Sequence, residues 1–204
     1  LTPDERSDLD AARQGDEAAF TRLVEAHRRP LHAHCYRMLG SVHDADDALQ
    51  DTLLAAWKGL GGFAGTGSFR SWLYRIATNA SIRVGERRRR RMLTPDLGPA
   101  YTQVWDLGET VTEPVFIEPY PDAGLADRSG ATEPEARYDL LESVELGFVA
   151  ALQDLPATQR AVLVLREVLA IPATEVAETL DTTVAAVNSA LQRARKTMEG
   201  RLDP

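Results

Sequence analysis

From Leu9 to Arg91 apolar residues recur at helical spacing, first as Phe20, Leu23, Val24, His27 and Leu31, then as Leu49, Leu53, Leu54 and Trp57. No alternation of comparable length suits a strand. The pattern breaks at Gly40-Ser41 and across residues 59–68, where Gly59, Gly61, Gly62, Gly65 and Gly67 rule out a continuing helix. Ser41 followed by Asp44 resembles a capping box with the shorter acid in its third position, and predicts a helix running to about Leu60. The next helix is expected to begin near Ser68 and to end in an arginine run. Periodicity lapses over residues 92–138, which hold six of the eleven prolines and read as an extended linker. It resumes in four groups: Leu141 to Leu155, Val162 to Leu169, Val176 to Leu180, and the stripe Val184, Val187, Leu191, Ala194, Met198. Four more helices are expected, the last two joined by the turn Asp181-Thr182-Thr183, with the last stripe facing inward. The chain is thus expected to be all-α, with two small helical domains at 8–91 and 139–202 joined by an extended acidic linker at 92–138.

A chain of 204 residues, 44% hydrophobic, has enough apolar mass for one ordinary core or two small ones, and the pattern favours two. No run approaches the roughly 18 apolar residues that a membrane span needs, and no basic start precedes a short apolar run, so a cytoplasmic location without membrane contact is expected. Cys35 is the only cysteine, which excludes an internal disulfide and cysteine-rich zinc sites. The opening at Leu1 and the end at Pro204 are expected of a fragment or a processed chain.

The formal net charge of −8 is unevenly spread: residues 1–91 carry +3, residues 92–138 carry −7 and residues 139–204 carry −4. Within 61–91, Arg70, Arg75, Arg83 and Arg87 through Arg91 stand against the single Glu86, a local +7 that marks a polyanion partner.

Several constellations carry chemistry. The last two helices are a helix-turn-helix candidate, whose outer side offers Thr183, Ala186, Ser189, Gln192, Arg193 and Lys196, a mixture of cations for phosphate and small polar groups for base edges. An ordinary antiparallel pair with a solvated face fits the same spacing. Asp44, Asp46, Asp47, Gln50 and Asp51 cluster at a helix start, where the dipole favours carboxylates. Asp44, Asp47 and Asp51 at i, i+3, i+7 also place like charges on one face, which calls for a basic partner. Between Phe63 and Asn79 aromatics alternate with cations in a manner suited to unpaired bases and phosphates, although Trp72 reads better as core. His32, His34 and Cys35 form a poor metal set, since only His32 and Cys35 have suitable helical spacing and no second cluster exists; no metal and no cofactor are expected. There is no nucleophile elbow, phosphate loop or dinucleotide fingerprint, so no enzyme activity is expected.

Asp44-Ala-Asp-Asp-Ala-Leu-Gln-Asp-Thr-Leu-Leu-Ala-Ala-Trp57 resembles the polymerase-binding helix of the sigma-70 family, and Phe69-Arg-Ser-Trp-Leu-Tyr-Arg-Ile-Ala-Thr-Asn79 resembles the helix that reads the −10 promoter element. Leu155-Pro-Ala-Thr-Gln-Arg-Ala-Val-Leu-Val-Leu-Arg166 and Val184-Ala-Ala-Val-Asn-Ser-Ala-Leu-Gln-Arg-Ala-Arg195 are similar to region four, which reads the −35 element. The four motifs stand in order and at family spacing over about residues 10–91 and 140–200. The resemblance, to the extracytoplasmic-function (ECF) type, implies a sigma factor that directs RNA polymerase to promoters and helps to melt them. It implies that Asp44, Asp47, Gln50 and Asp51 bind the clamp helices of the β′ subunit. It further implies that Phe63, Ser68, Arg70, Arg75, Asn79, Arg83, Arg87 and Arg88 meet −10 DNA, partly single-stranded, and that Thr183, Ala186, Ser189, Gln192, Arg193 and Lys196 meet duplex −35 DNA. The β flap of the polymerase core and an anti-sigma factor are further partners the family admits. The linker phrase Ile117-Glu-Pro-Tyr-Pro-Asp122 resembles a subgroup that often continues into a C-terminal SnoaL-like domain, before which this chain is expected to stop. Arg83 stands where many relatives have aspartate, and Ala170 where they often have glycine, a change expected to be minor. The competing readings are a stand-alone helix-turn-helix regulator, which leaves the +7 segment unexplained, and a metal-dependent enzyme.

Overall fold

The computed structural model describes residues 2–63, 68–87, 116–120, 148–149 and 151–202. Its first helix, α1 (Pro3–Arg13), starts earlier than the boundary expected at residue 8. Thr2 Oγ1 accepts from the Glu5 backbone N–H at 3.2 Å while Glu5 Oε2 accepts from the Thr2 N–H at 2.7 Å, and Pro3 occupies the first helical position, where its missing N–H costs nothing.

α2 (Glu17–Leu39) is capped by Asp16, whose carboxylate accepts from Ala18 and Ala19, and it ends at Gly40 in the left-handed conformation, φ 68°. α3 (Val42–Gly59) starts on Ser41, whose hydroxyl accepts from the Asp44 N–H at 3.1 Å. The serine half of the expected capping box is thus present, and the next two N–H groups of the first turn, those of Val42 and His43, donate to Glu118, from the linker. A 3₁₀ turn at Leu60–Gly62 follows, and α4 (Phe69–Glu86) starts on Ser68 and ends at Arg87, as the serine and the arginine run predict.

These helices pack around a single bundle core. Along α3 the buried residues Ala48, Thr52 and Ala56 repeat every fourth position, and their small side chains admit α2 and α4 closely enough to bury Leu31, Met38 and Leu73 almost completely. Removing one such leucine to alanine costs about 2–5 kcal/mol in a typical core.

The second body contains α5 (Ala157–Leu163), which widens into a π-helical turn at Val164–Val168, then α6 (Ala173–Thr179) and α7 (Val184–Leu202). The π turn is closed by the Leu169 N–H on the Val164 carbonyl, 3.0 Å. The inward stripe of α7 is Val187, Ala190, Leu191 and Ala194, all buried, with Met198 packed at its edge. Val184 departs from expectation at 38% exposed, since helical side chains lean toward the N-terminus and a first-turn valine projects past the helix end.

The bodies touch. Arg160 of α5 donates to the Met38 carbonyl at the end of α2, and Ser71 Oγ of α4 donates to Glu175 Oε2 of α6 at 2.9 Å. Residues 116–120, expected to be loose linker, pack on the bundle and bury Ile117 and Tyr120.

Candidate nucleic-acid interface

α4 presents a cationic face because its apolar positions are consumed by the bundle. Arg75, Asn79, Arg83 and Arg87 are spaced by four residues, which draws a slanting stripe along one side; the three arginines are exposed and Asn79 is half-buried. Arg70 is exposed and its guanidinium lies 5.3 Å from the centre of the Tyr74 ring, an arrangement that holds the cation near the surface. Ser68 is exposed and spends its hydroxyl on the Ser71 N–H, capping the helix. Arg88 and the loop at 64–67 lie outside the described residues.

Phe63 departs from the sequence expectation. It is buried, its ring centre 5.2 Å from that of Trp72 and 5.5 Å from that of Phe69, and its carbonyl accepts from Arg13. An aromatic ring already packed on two others has no open face for a base, so Phe63 belongs to the core. Trp72 sits in the same cluster, half-buried, as its core reading has it.

α3 carries the acidic face, with one correction. Asp44 is only 3% exposed, because it continues the every-fourth-residue stripe of Ala48, Thr52 and Ala56 that faces the bundle. The outward acids are Asp46, Asp47 and Asp51, with Gln50 between them. Asp47, Gln50 and Asp51 line an open groove with Val84 and Arg87 of α4. Leu54, half exposed and seven residues after Asp47, extends this face with an apolar contact. The same helical spacing marks it in the sequence, where it reads as core.

On α7 all six sequence-predicted residues, Thr183, Ala186, Ser189, Gln192, Arg193 and Lys196, are exposed and lie opposite the buried stripe. Thr183 has a local task too, since its hydroxyl accepts from the Ala186 N–H at 3.1 Å and caps the helix. Arg195 is tied to Glu167 at 2.6 Å, joining α7 to the π turn.

His32, His34 and Cys35 face separate surroundings. Buried His34 pairs its Nε2 with Thr78 Oγ1 at 2.9 Å, and burial, aided by the Arg37 charge, pushes its pKa down to about 3. Burial pushes the Cys35 thiol up to about 11. His32 lies between Tyr120, 2.7 Å from Nδ1, and Asp46, 3.1 Å from Nε2. Among the described residues no group of three such side chains is arranged to hold a metal, and no helix is long and apolar enough to cross a membrane. No local pattern marks the long-range roles of Glu118, Tyr120, Arg160 and Glu175.

The chain matches the family descriptions "Sigma-70 region 2" over residues 23–92 and "Sigma-70, region 4" over 146–198. It is 48% identical to the ECF RNA polymerase sigma factor SigG of Mycobacterium tuberculosis, over 92% of this chain and 49% of that one. It therefore spans about half the length of that relative. SigM of the same organism is 32% identical, over 94% of this chain and 82% of its own. Among solved structures, CnrH in complex with the cytosolic domain of CnrY superposes with a TM-score of 0.61 at 26% identity, over 98% of this chain and 97% of that one.

Proposed function

The chain belongs to the sigma-70 family, in its ECF branch, and from that premise we propose that it directs an RNA polymerase core to promoters by holding the −10 and −35 elements and promoting melting. The observation that carries this reading is the division of labour between the faces: an acidic face on α3, a cationic stripe on α4, and a small polar and cationic face on α7, each opposite its buried side. In this reading residues 8–91 are the region-two domain, 92–138 the linker and 139–202 the region-four domain. Asp47, Gln50 and Asp51 meet the basic clamp helices of β′, and the second domain meets the β flap. Arg70, Arg75, Asn79, Arg83 and Arg87 hold the −10 strand, whose capture out of the stack favours melting. The exposed face of α7 lies in the major groove at −35, its N-terminal Thr183 and Ala186 deepest and Lys196 toward phosphate.

The protein acts in the cytoplasm as a non-enzymatic subunit and needs no cofactor. An anti-sigma factor, a partner that the family resemblance admits, is part of the same proposal. The modest cation content of the second domain accords with a subunit that draws most of its DNA affinity from the holoenzyme.

The test is association with core polymerase followed by transcription from a library randomised at −35. Stable binding and selection of a defined −35 sequence are expected, with Ser189 or Ala186 substitutions changing the selected sequence and Lys196→Ala weakening all promoters alike. A chain that ignores the core would overturn the reading.

A further inference from the structure

The most elaborately held segment outside the two reading surfaces is residues 116–120. The Glu118 N–H donates to the Gly40 carbonyl at 3.0 Å, the Tyr36 hydroxyl donates to the Glu118 carbonyl at 2.7 Å, and the Glu118 carboxylate accepts from the Val42 and His43 N–H groups at 2.8 and 3.4 Å. A carboxylate at the start of α3 meets the positive end of the helix dipole and takes two N–H groups of the first turn that the Ser41 hydroxyl does not reach. Tyr120 packs its ring 4.6 Å from that of Tyr36 and places its hydroxyl on His32. The backbone, a carboxylate and a phenol are thus all read by the bundle, as in recognition of a linear peptide.

Ile117 gives this docking a consequence for the second domain. A β-carbon on Gly40 would stand 3.5 Å from Ile117 Cγ1 and 3.4 Å from Gln153 Cδ, so linker and second domain converge on the same point of the bundle. There Arg160 donates to the Met38 carbonyl and to Gln153 Oε1, the latter at 2.7 Å. The Ser71–Glu175 contact closes the other side.

This arrangement does not fit a promoter. The elements at −35 and −10 lie about 25 base pairs apart, about 85 Å along a duplex, whereas the two domains here are joined by direct hydrogen bonds. We propose that residues 116–120 are an intramolecular clasp, which docks on the bundle beside Gly40 and holds the helix-turn-helix domain against it in a closed state that must open before the chain spans a promoter. The proposal rests on the sigma-factor reading for its consequence and on the junction alone for its existence. Its sequence handle is Ile117-Glu-Pro-Tyr120.

The experiment is energy transfer between dyes on Glu25→Cys and Glu199→Cys, both exposed; buried Cys35 does not compete for label. The isolated chain should show high transfer, falling on the promoter-bound holoenzyme. Ile117→Ser should shift the closed-to-open ratio of the isolated chain toward open by about thirtyfold, the least expected when most of a buried branched side chain is lost. Tyr120→Phe should shift it less while leaving the helical content unchanged, which guards against misfolding. The same variants should raise transcription from a weak promoter. Low transfer in the isolated wild-type chain, or transfer in Ile117→Ser equal to wild type, would overturn the clasp. Failure to bind core polymerase would overturn the sigma-factor reading instead, since the isolated-chain measurement needs no polymerase.

Discussion

The two domains solve the same problem, holding a polar face out over an apolar one, with different charge. The bundle segregates its charge by helix, acids on α3 and arginines on α4, whereas the second domain concentrates exposed cations and small polar residues on the single helix α7. Two faces of opposite sign on one domain are suited to two partners of opposite sign, a basic protein surface and a nucleic acid, and one mixed face is suited to one partner. Net charge hides this division: residues 1–91 carry +3 and 139–204 carry −4, because the acids of the second region lie outside α7 except for Glu199.

The largest expected break in this comparison is Asp47→Arg. The side chain is exposed and faces the open groove, so reversal should leave the fold intact while placing like charges together at a basic partner, at a cost of several kcal/mol in binding. Holoenzyme assembly measured by native gel shift should be lost with an unchanged melting temperature, and normal assembly would remove α3 as the clamp-binding face. Next come Arg75→Ala and Asn79→Ala on the opposite-signed face. They should leave assembly untouched and reduce promoter opening, read by permanganate reactivity, by the equivalent of about 1–3 kcal/mol per lost base contact. Wild-type opening in both would make α4 scaffold.

Acid separates the domains differently. All four histidines, His27, His32, His34 and His43, belong to the bundle. His34 is the one that matters most, fully buried with a pKa pushed down to about 3, and His27 is lowered in the same direction by its own partial burial. Below about pH 6.5 the unfolded chain takes up a proton at His34 that the folded bundle refuses, so stability is present above that pH and falls as pH drops toward 3. From pH 7 to 5 the loss from this ring is about 2 kcal/mol. Hydrogen exchange should quicken in α2 and α4 but not in α7, and His34→Gln should flatten the bundle's response. Equal acid sensitivity in both domains would show that histidine burial does not govern it.

What the sequence revealed and concealed divides by range. Helix limits at Gly40, Ser41, Ser68 and the turn at 181–183 were legible because each is set by a residue acting on its own neighbours. The start at Pro3 was missed, with the boundary expected at residue 8, although the Thr2–Glu5 capping box that sets it is equally local. The burial of Asp44 and Phe63 was not, because helical spacing says which residues share a face but not where that face meets a neighbour. Glu118 capping a helix 76 residues away, and Arg160 reaching Met38 across 122, have no local pattern at all. For the proposed site this means that the exposure of the α7 residues was readable, while on the bundle the packing was needed to show Asp44 and Phe63 buried and Leu54 exposed.

The smallest effect concerns how each domain turns its corners. The bundle leaves α2 through Gly40 at φ 68°, a conformation that costs glycine little, but the second domain enters α6 through Ala170 at φ 53° and leaves it through Asp181 at φ 48°. A β-carbon in this left-handed region costs about 1–2 kcal/mol, and glycine in its place forfeits about 0.5–1 kcal/mol through the greater freedom of the unfolded chain. Ala170 is exposed, so its methyl has little packing to lose. Ala170→Gly should therefore stabilise the second domain by about 0.5–1 kcal/mol and raise its melting temperature by a few degrees. Asp181→Gly should gain less, since aspartate tolerates the left-handed region through local hydrogen bonding. Differential scanning calorimetry on the full chain gives both numbers; a gain at 181 exceeding that at 170, or a loss at 170, would mean that the alanine is not strained and that the methyl is held by packing.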